Sequence, residues 1–330
     1  MDGFVGKLNQ HLDNYEPNYI NISEPCEVID SNILQQIDDY PVPFSLGSVG
    51  YIYKSIWNNQ DIIIKIISPH MLNTIEEEKK AINNIGDMKQ NMLDISKEVC
   101  EILTQEINLT SEKDNCLMVQ QSQLHLEYNI KILQPIEQLC NSSHFIYLYE
   151  EGIPILDILK INITNEQKHQ IISRLVLYYY DLLHNKDILL GDLNPGNILY
   201  HQESDQIIII DYGCVIKLSE NKKSLIKKLN KASESVDGIR DLIKEWNGSK
   251  QVFELLFSQT RPFADLSGKK YSFQDIKADV NPLDFKLYNI NFPSDIIFII
   301  RSCFQLVQLL KRLEICDNYS HRLKKIIKKI

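Results

Sequence analysis

Short apolar runs separated by polar segments occur through the middle of this chain and predict buried β-strands. Residues 62–67 are isoleucine at every position except one, which is a lysine. Residues 198–200 and 207–210 form two further apolar runs, and the short polar link between them favours an antiparallel hairpin. Residues 132–136 and 145–149 have the same character, so they predict two more strands.

Other segments carry apolar residues at helical spacing. The sequence Thr164-Asn-Glu-Gln167 is a capping box, which indicates the start of a helix. Apolar side chains three and four positions apart follow it and predict an amphipathic helix: Ile171, Ile172, Leu175, Tyr179, Leu182 and Leu183. Further helices are predicted near residues 74–106, 219–232, 235–245 and 294–312.

Three polar acceptors lie at the ends of the predicted hairpin. Asp192 and Asn197 precede its first strand with four residues between them, and Asp211 follows its second strand in the sequence Asp-Tyr-Gly. This spacing is typical of a kinase catalytic loop followed by an Asp-Phe-Gly motif. It predicts that Asp192 orients an attacking hydroxyl, while Asn197 and Asp211 hold Mg²⁺ on nucleotide phosphates. The alternative is a structural turn, because Asn-Pro-Gly-Asn favours turns in any fold.

A phosphate-binding region is predicted between residues 45 and 67, which would form a glycine-containing loop, a strand, a turn and a second strand. Gly47 and Gly50 would let backbone amides approach phosphate oxygens closely. Lys65 lies within the second strand, where a lysine is costly unless it is paired. Glu112 is the candidate partner, and the alternative is that it is one of the many ordinary surface glutamates in this region.

Composition narrows the class of protein. The chain has 330 residues, enough for two domains or lobes, and its formal net charge of −9 argues against general nucleic-acid binding. The seven cysteines are dispersed, which favours a reduced intracellular protein without disulfides or a zinc site. No secretory signal or membrane-spanning run is recognised, so a soluble or peripheral membrane protein is expected. The basic segment 322–330 would either contact an acidic lipid surface or form a solvated terminus.

Several of these motifs together resemble the aarF/UbiB atypical kinases, a family associated with ubiquinone biosynthesis. Residues 48–54 are similar to the family's S-I-G-Q-V-x-K loop, and residues 62–69 to its V-A-V-K-V-x-x-P strand. Residues 106–115 are similar to E-L-D-F-x-x-E-A-x-N, residues 149–155 to the hinge Y-x-D-G-I-P-I, and residues 191–197 to A-D-P-H-P-G-N. The motifs occur in the family's order, so the resemblance covers roughly residues 45–312.

The resemblance implies an α+β, bilobal protein-kinase-like fold with a small β-rich N-lobe, family-specific helices and a larger helical C-lobe. Residues 1–44 would be an N-terminal extension, residues 45–150 the N-lobe and residues 151–330 the C-lobe. Mg²⁺ and ATP would bind between the lobes, with the nucleotide contacted by Gly47, Ser48, Gly50 and Lys65. Lys65, Glu112 and Asp192 would be the catalytic residues, and Asn197 and Asp211 the metal ligands.

The resemblance also suggests a lid over the active site. Lys7 and Gln10 are similar to two positions of the family's K-x-G-Q segment, and Glu106 is similar to the first residue of its E-x-D motif. Asn9 and Asn108 stand where the family has glycine and aspartate.

The function that the resemblance implies is that of a UbiB-type ATPase or phosphotransferase linked to isoprenoid-lipid metabolism. Two alternatives stay open. Gly191-Asp192-Leu193 also resembles the H-G-D-L of aminoglycoside and choline kinases, which would make the protein a small-molecule phosphotransferase. Leu190 and Ile63 replace a histidine and a small residue of the family, which is compatible with a pseudokinase scaffold.

Overall fold

The structure is a computed structural model of the chain. It describes residues 29–46, 50–67, 107–246, 250–276 and 297–327, together with the single positions 76, 77, 80 and 104. The predicted helix at 74–106 therefore lies almost wholly outside the described residues.

Strands and short and long helices alternate along the described chain. The strands are β1 (Val42–Leu46), β2 (Gly50–Trp57), β3 (Gln60–Ile67), β4 (Ile130–Ile132), β5 (His144–Leu148), β6 (Ile153–Pro154), β7 (Ile188–Leu190), β8 (Ile198–His201), β9 (Gln206–Ile209), β10 (Val215–Lys217), β11 (Tyr271–Ser272) and β12 (Cys316–Asp317). The α-helices are α1 (Ser31–Leu34), α2 (Leu109–Gln121), α3 (Leu124–Glu127), α4 (Asn165–Asn185), α5 (Glu220–Ser233), α6 (Val236–Glu245), α7 (Lys250–Ala264), α8 (Ile297–Arg312) and α9 (Ser320–Ile327). The content is that of a mixed α+β, kinase-like fold.

The chain divides into two compact units. The first unit comprises Met1–Gln121, Ile132–Glu151 and Ile210–Cys214, and the second comprises Ser122–Lys131, Gly152–Ile209 and Val215–Ile330. The short segment Ile210–Cys214, which contains the Asp-Tyr-Gly motif, therefore belongs to the first unit although its neighbours on both sides belong to the second.

A four-stranded antiparallel sheet in the order β1-β2-β3-β5 forms the first unit's framework. The two-residue turn between β2 and β3 is made by Asn58 and Asn59, which have φ angles of 49° and 59°. Asparagine tolerates this left-handed backbone better than most residues, so the pair suits a tight hairpin. The turn and the second strand confirm the prediction for residues 57–67, while β1 is an additional strand.

Alternate residues of β3 point to opposite faces of the sheet. Ile62, Ile64 and Ile66 enter a core cluster with Tyr53 and Ile146. Ile63, Lys65 and Ile67 share the other face, and they are also buried. A strand covered on both faces explains the unbroken isoleucine run.

The predicted hairpin is present in the second unit. β8 and β9 pair as antiparallel strands with Ile198 opposite Ile209, and β6 pairs with the other edge of β8. The strand β7 pairs with β10, which places Leu190 opposite Val215 in a buried ladder. These pairings position the loop from Asp192 to Asn197, because it connects the end of β7 to the start of β8.

Helix α4 is the longest described helix of the second unit. Its capping box is complete: the Gln167 backbone N–H donates to Thr164 Oγ1 at 3.1 Å, and the Thr164 N–H donates to Gln167 Oε1 at 2.8 Å. The apolar positions that predicted this helix are buried. Helix α9 packs on it, with Leu323 and Ile326 buried.

One predicted strand was wrong, and the set of predicted helices was incomplete. The strand expected at 132–136 ends at Ile132, and Pro135 forms only an isolated bridge with Tyr147, since proline has no N–H to continue a ladder. Three helices were expected after residue 213, and α5, α6 and α8 confirm them, but α7 was missed. Its sequence contains Pro262, which is a helix-breaking signal in an interior position. Among the described residues, no helix has the length and hydropathy needed to cross a membrane.

The capping box predicts a measurable contribution of Thr164 to stability. Thr164→Ala removes the side-chain acceptor at the start of α4, and we expect a loss of about 1 kcal/mol in the free energy of unfolding. Thr164→Ser keeps the hydroxyl and is the matched control. Urea unfolding monitored by circular dichroism measures both, and equal midpoints for the alanine and serine variants would contradict the assignment.

Candidate functional site

A lysine inside the central sheet of the first unit defines the first cluster. Lys65 lies in β3 opposite Ile52 of β2 and Phe145 of β5, and only 4% of the residue is exposed. Its ammonium group is 2.8 Å from Glu112 Oε1 and 3.2 Å from Asp211 Oδ2. The ion pair predicted between Lys65 and Glu112 is therefore present, and Asp211 is a second anionic partner that the sequence did not indicate.

Glu112 lies on helix α2 and is fully buried. Leu109, Cys116 and Val119 of the same helix are also buried, which fixes the face on which Glu112 lies. The spacing of three or four residues places these side chains on one side of the helix. Glu112 is thus held in a low-dielectric environment, where it requires a cationic partner.

The charges in this cluster shift one another's proton affinities. Burial alone would lower the pKa of Lys65, but the negative charges of Asp211 and Glu112 outweigh that effect and raise it well above its usual range. Burial raises the pKa of the Glu112 carboxyl above its ordinary value, and Lys65 offsets this only in part. The ammonium group is therefore the firmly charged member of the cluster.

The same helix holds the backbone of the Asp-Tyr-Gly segment. The Tyr212 N–H donates to Glu112 Oε1 at 3.4 Å, and Asn115 Nδ2 donates to the Tyr212 carbonyl at 2.9 Å. The Gly213 N–H donates to Asp211 Oδ1 at 2.9 Å, which closes a turn around the aspartate. These bonds position Asp211 with one oxygen toward Lys65 and the other toward its own turn.

The second cluster lies in the loop between β7 and β8, in the second unit. Asp192 Oδ1 accepts the Asn194 N–H at 3.1 Å, and Asn194 Oδ1 accepts the Gly196 N–H at 3.0 Å. A short 3₁₀ turn at Pro195–Asn197 follows and leads into β8. The same loop thus forms the turn expected from Asn-Pro-Gly-Asn and contains the Asp192–Asn197 spacing that resembles a kinase catalytic loop.

Asn197 points its amide nitrogen at Asp192. Its Nδ2 donates to Asp192 Oδ2 at 3.3 Å. Within the described residues, the Asn197 side-chain oxygen accepts no hydrogen bond, so its lone pairs are available to a ligand. An amide oxygen of this kind is a suitable ligand for a hard divalent cation.

Two residues of α8 complete the surroundings of Asp192. Gln305 Nε2 donates to Asp192 Oδ1 at 2.6 Å, and Arg301 Nη2 lies 3.9 Å from Asp192 Oδ2. Gln305 was not among the site residues predicted from the sequence. The available signal was the spacing of four residues between Arg301 and Gln305, which places the two polar side chains on one face of the helix.

Asn197 and Asp211 each carry an oxygen donor of a type that binds Mg²⁺. Groups of three or more metal-binding side chains are not found in the part of the chain that the structure describes. Mg²⁺ often uses only one or two protein ligands, however, and takes the rest from water and nucleotide phosphates. Taken one at a time, the amide oxygen of Asn197 and the carboxylate of Asp211 are suitable ligands by their chemistry, and their role in binding a metal stays a prediction.

Several predicted site residues lie outside the described residues. They are Lys7, Gln10, Gly47, Ser48 and Glu106. Gly50 is described: it is buried and begins β2, where it pairs with Ile67. The roles given to all of these residues stay predictions.

Comparison with known proteins agrees with the kinase-like character of the fold. The family model of the ABC1 atypical kinase-like domain matches residues 24–238, which is more than half of the chain. The chain belongs to the ABC1 atypical kinase-like family, so the expected membership of the aarF/UbiB-type atypical kinases is confirmed.

A solved structure has the same general fold. The chain is similar to Rv3197 from Mycobacterium tuberculosis, whose structure was determined as a complex with erythromycin. The TM-score is 0.63 with 14% sequence identity, and the alignment covers 100% of this chain and 87% of the other. At this identity the similarity concerns the fold.

Removing the ammonium group of Lys65 should destabilise the first unit strongly. Lys65→Met leaves the buried Glu112 and Asp211 without their cation, and breaking a buried pair in this way costs about 3–5 kcal/mol. Denaturant unfolding measures the loss. Lys54→Met is the matched control on β2, because Lys54 pairs with Asp61 at 2.7 Å in an exposed position, and it should cost about 1 kcal/mol or less.

The loss caused by Lys65→Met should also depend on pH. Without the cation, the folded-state pKa of Glu112 rises further above its unfolded value, so the folded variant binds more protons than the unfolded chain. In the wild type the folded-state pKa of Glu112 is already raised to about 7, so above that pH the carboxyl ionises at a greater cost in the variant alone. The deficit relative to the wild type should therefore shrink as the pH falls from about 9 toward neutral pH. Adding Glu112→Gln should recover part of the loss, and a deficit no larger than that of Lys54→Met would contradict the ion-pair interpretation.

Proposed function

We propose that this protein is an ATP-dependent phosphotransferase or ATPase of the UbiB type. The observation that carries the proposal is the buried Lys65, whose ammonium group contacts Glu112 and Asp211 in a domain of the atypical kinase-like family. A cation is rarely placed in a buried strand for stability alone, because its desolvation is costly. A role in holding anionic phosphate groups accounts for it.

Each member of the two clusters has a role in this proposal. Lys65 would hold the nucleotide phosphates and be oriented by Glu112, as the lysine and glutamate of kinases are. Asp211 and Asn197 would be the ligands of Mg²⁺, which supplies charge neutralisation at the phosphate oxygens when bound. Asp192 would orient a hydroxyl or water and accept its proton as the phosphoryl group is transferred.

The substrate is proposed from the family resemblance. An isoprenoid-lipid or lipid-linked pathway is the proposed context, and contact with an anionic lipid surface through the C-terminal basic segment is proposed with it. In α9 the apolar residues Leu323 and Ile326 are buried in the protein, and Arg322 is bound to Asp317 at 2.6 Å. Contact with lipid would therefore depend on exposed lysines such as Lys325, and so on charge.

Nucleotide binding and turnover should be separable by one substitution. Millimolar ATP with Mg²⁺ should raise the thermal unfolding temperature of the wild type, because a ligand that binds only the folded state stabilises it. Asp192→Asn should keep this shift and lose turnover by about a hundred- to ten-thousandfold, since a positioned base is removed. Differential scanning fluorimetry and an ADP-release assay measure the two effects.

The matched control is Asp241→Asn, at an exposed position of α6 that forms only a loose ion pair with Lys244 at 3.7 Å. It should keep both binding and turnover. Unchanged turnover in Asp192→Asn would overturn the assignment of Asp192. No thermal shift in the wild type would favour a scaffold without nucleotide, and ATP-dependent phosphorylation of amino-sugars or choline would favour a small-molecule kinase.

A further inference from the structure

Gln305 makes two hydrogen bonds to the catalytic loop. It lies on α8 between the buried residues Phe304 and Leu306, and its own side chain is half-buried. Its Nε2 donates to Asp192 Oδ1 at 2.6 Å, and its Oε1 accepts the Leu193 N–H at 2.9 Å. The two ends of one amide group thus contact the side chain of Asp192 and the next backbone N–H.

We infer that Gln305 is a positioning residue that fixes the orientation of the Asp192 carboxylate. This inference rests on the proposed role of Asp192 as the residue that receives the proton. Because both ends of the Gln305 amide are engaged, the side chain cannot rotate without breaking both bonds. A hydrogen bond to a charged acceptor is also stronger than one between neutral groups.

The two oxygens of Asp192 have different environments. Oδ1 accepts a short bond from Gln305 and a second bond from the Asn194 N–H. Among the described residues, Oδ2 accepts one longer bond of 3.3 Å from Asn197, with Arg301 at 3.9 Å. Of the two oxygens, Oδ2 is therefore the less engaged in hydrogen bonds within the part of the chain that the structure describes.

This asymmetry identifies the atom that takes part in the reaction. As the attacking oxygen forms its bond to the γ-phosphorus and the bond to the leaving ADP oxygen breaks, the hydroxyl proton passes to Asp192 Oδ2. By holding Oδ1, Gln305 would keep Oδ2 turned toward the attacking hydroxyl group. It does not touch the reacting atoms, so it acts through Asp192.

A glutamine suits this position better than its isosteres. Methionine has a similar length but can make neither hydrogen bond. Glutamate could still accept from Leu193, but its carboxylate has no hydrogen to donate to Asp192 and would be repelled by it.

Turnover measurements on purified full-length variants test the inference. Gln305→Met should lower kcat for ATP hydrolysis by about 10–100-fold and leave the KM for Mg-ATP within about twofold, because outer residues that orient a functional group have effects of this size. Gln305→Glu should lower kcat at least as far, because it removes the donor to Asp192. A merely structural role would lower the amount of folded enzyme and leave kcat per folded molecule and the KM unchanged.

The matched control is Gln308→Met on the next turn of the same helix. Gln308 is half-buried like Gln305, and within the described residues it is not a hydrogen-bond partner of Asp192. Its substitution should leave kcat and the KM for Mg-ATP unchanged. A kcat for Gln305→Met or for Gln305→Glu within twofold of the wild type would overturn the inference.

A double-mutant cycle tests the contact without using activity. Asp192→Ala and Gln305→Met are combined, and the unfolding equilibrium constants of the four proteins are compared. We expect the two substitutions to be coupled by about tenfold or more, as for hydrogen bonds to charged groups. Additive effects would overturn the inference even in an active enzyme, whereas coupling in a wild type without turnover would support the Gln305 contact and overturn the proposed function.

Discussion

The buried charge of Lys65 is the constraint on which the first unit depends. A lysine buried in an isoleucine-rich strand is stable only when anionic groups lie beside it. Two carboxylates from distant parts of the chain contact Lys65. Glu112 comes from a helix and Asp211 from a short segment that returns to this unit from the second one. The strand, the helix and the segment are thus held together by an electrostatic requirement as well as by apolar packing.

That requirement also explains why the cluster is suited to phosphate chemistry. The two carboxylates leave the ammonium group charged, yet burial raises the pKa of Glu112, so its anionic form is only partly stabilised. In the proposed function, a nucleotide phosphate would compete with Glu112 and Asp211 for the lysine. The same arrangement would then serve both the stability of the unit and the binding of a polyanion.

In the second unit, neutral amide side chains orient Asp192, whereas in the first unit charged carboxylates hold Lys65. Asn197 and Gln305 each donate to one oxygen of Asp192, and each keeps its carbonyl oxygen for another partner. For Gln305 this partner is a backbone N–H, while for Asn197 the proposed partner is a metal ion. Neutral side chains can orient the aspartate in this way without neutralising it, as a cation in direct contact would.

The sequence predicted those features that have a local physical cause. The isoleucine run, the hairpin and the capped helix α4 follow from periodicity and capping, and the pairing of Lys65 follows from the cost of burying a charge. The contacts made by Asp211 and Gln305 depend on segments more than one hundred residues apart. Such contacts have no local signature in the sequence. Helix α7 was missed for a different reason, because it contains Pro262 at an interior position, where proline usually ends a helix.

The bonds from α2 to both sides of Tyr212 have one further consequence. The helix that bears Glu112 and the backbone that bears Asp211 are joined at two points, through Glu112 and Asn115. Neither can be displaced by more than the length of a hydrogen bond unless the other follows. Any transition that withdraws Glu112 from Lys65 would therefore swing Asp211 as well, so that both anions would leave the lysine in one concerted step.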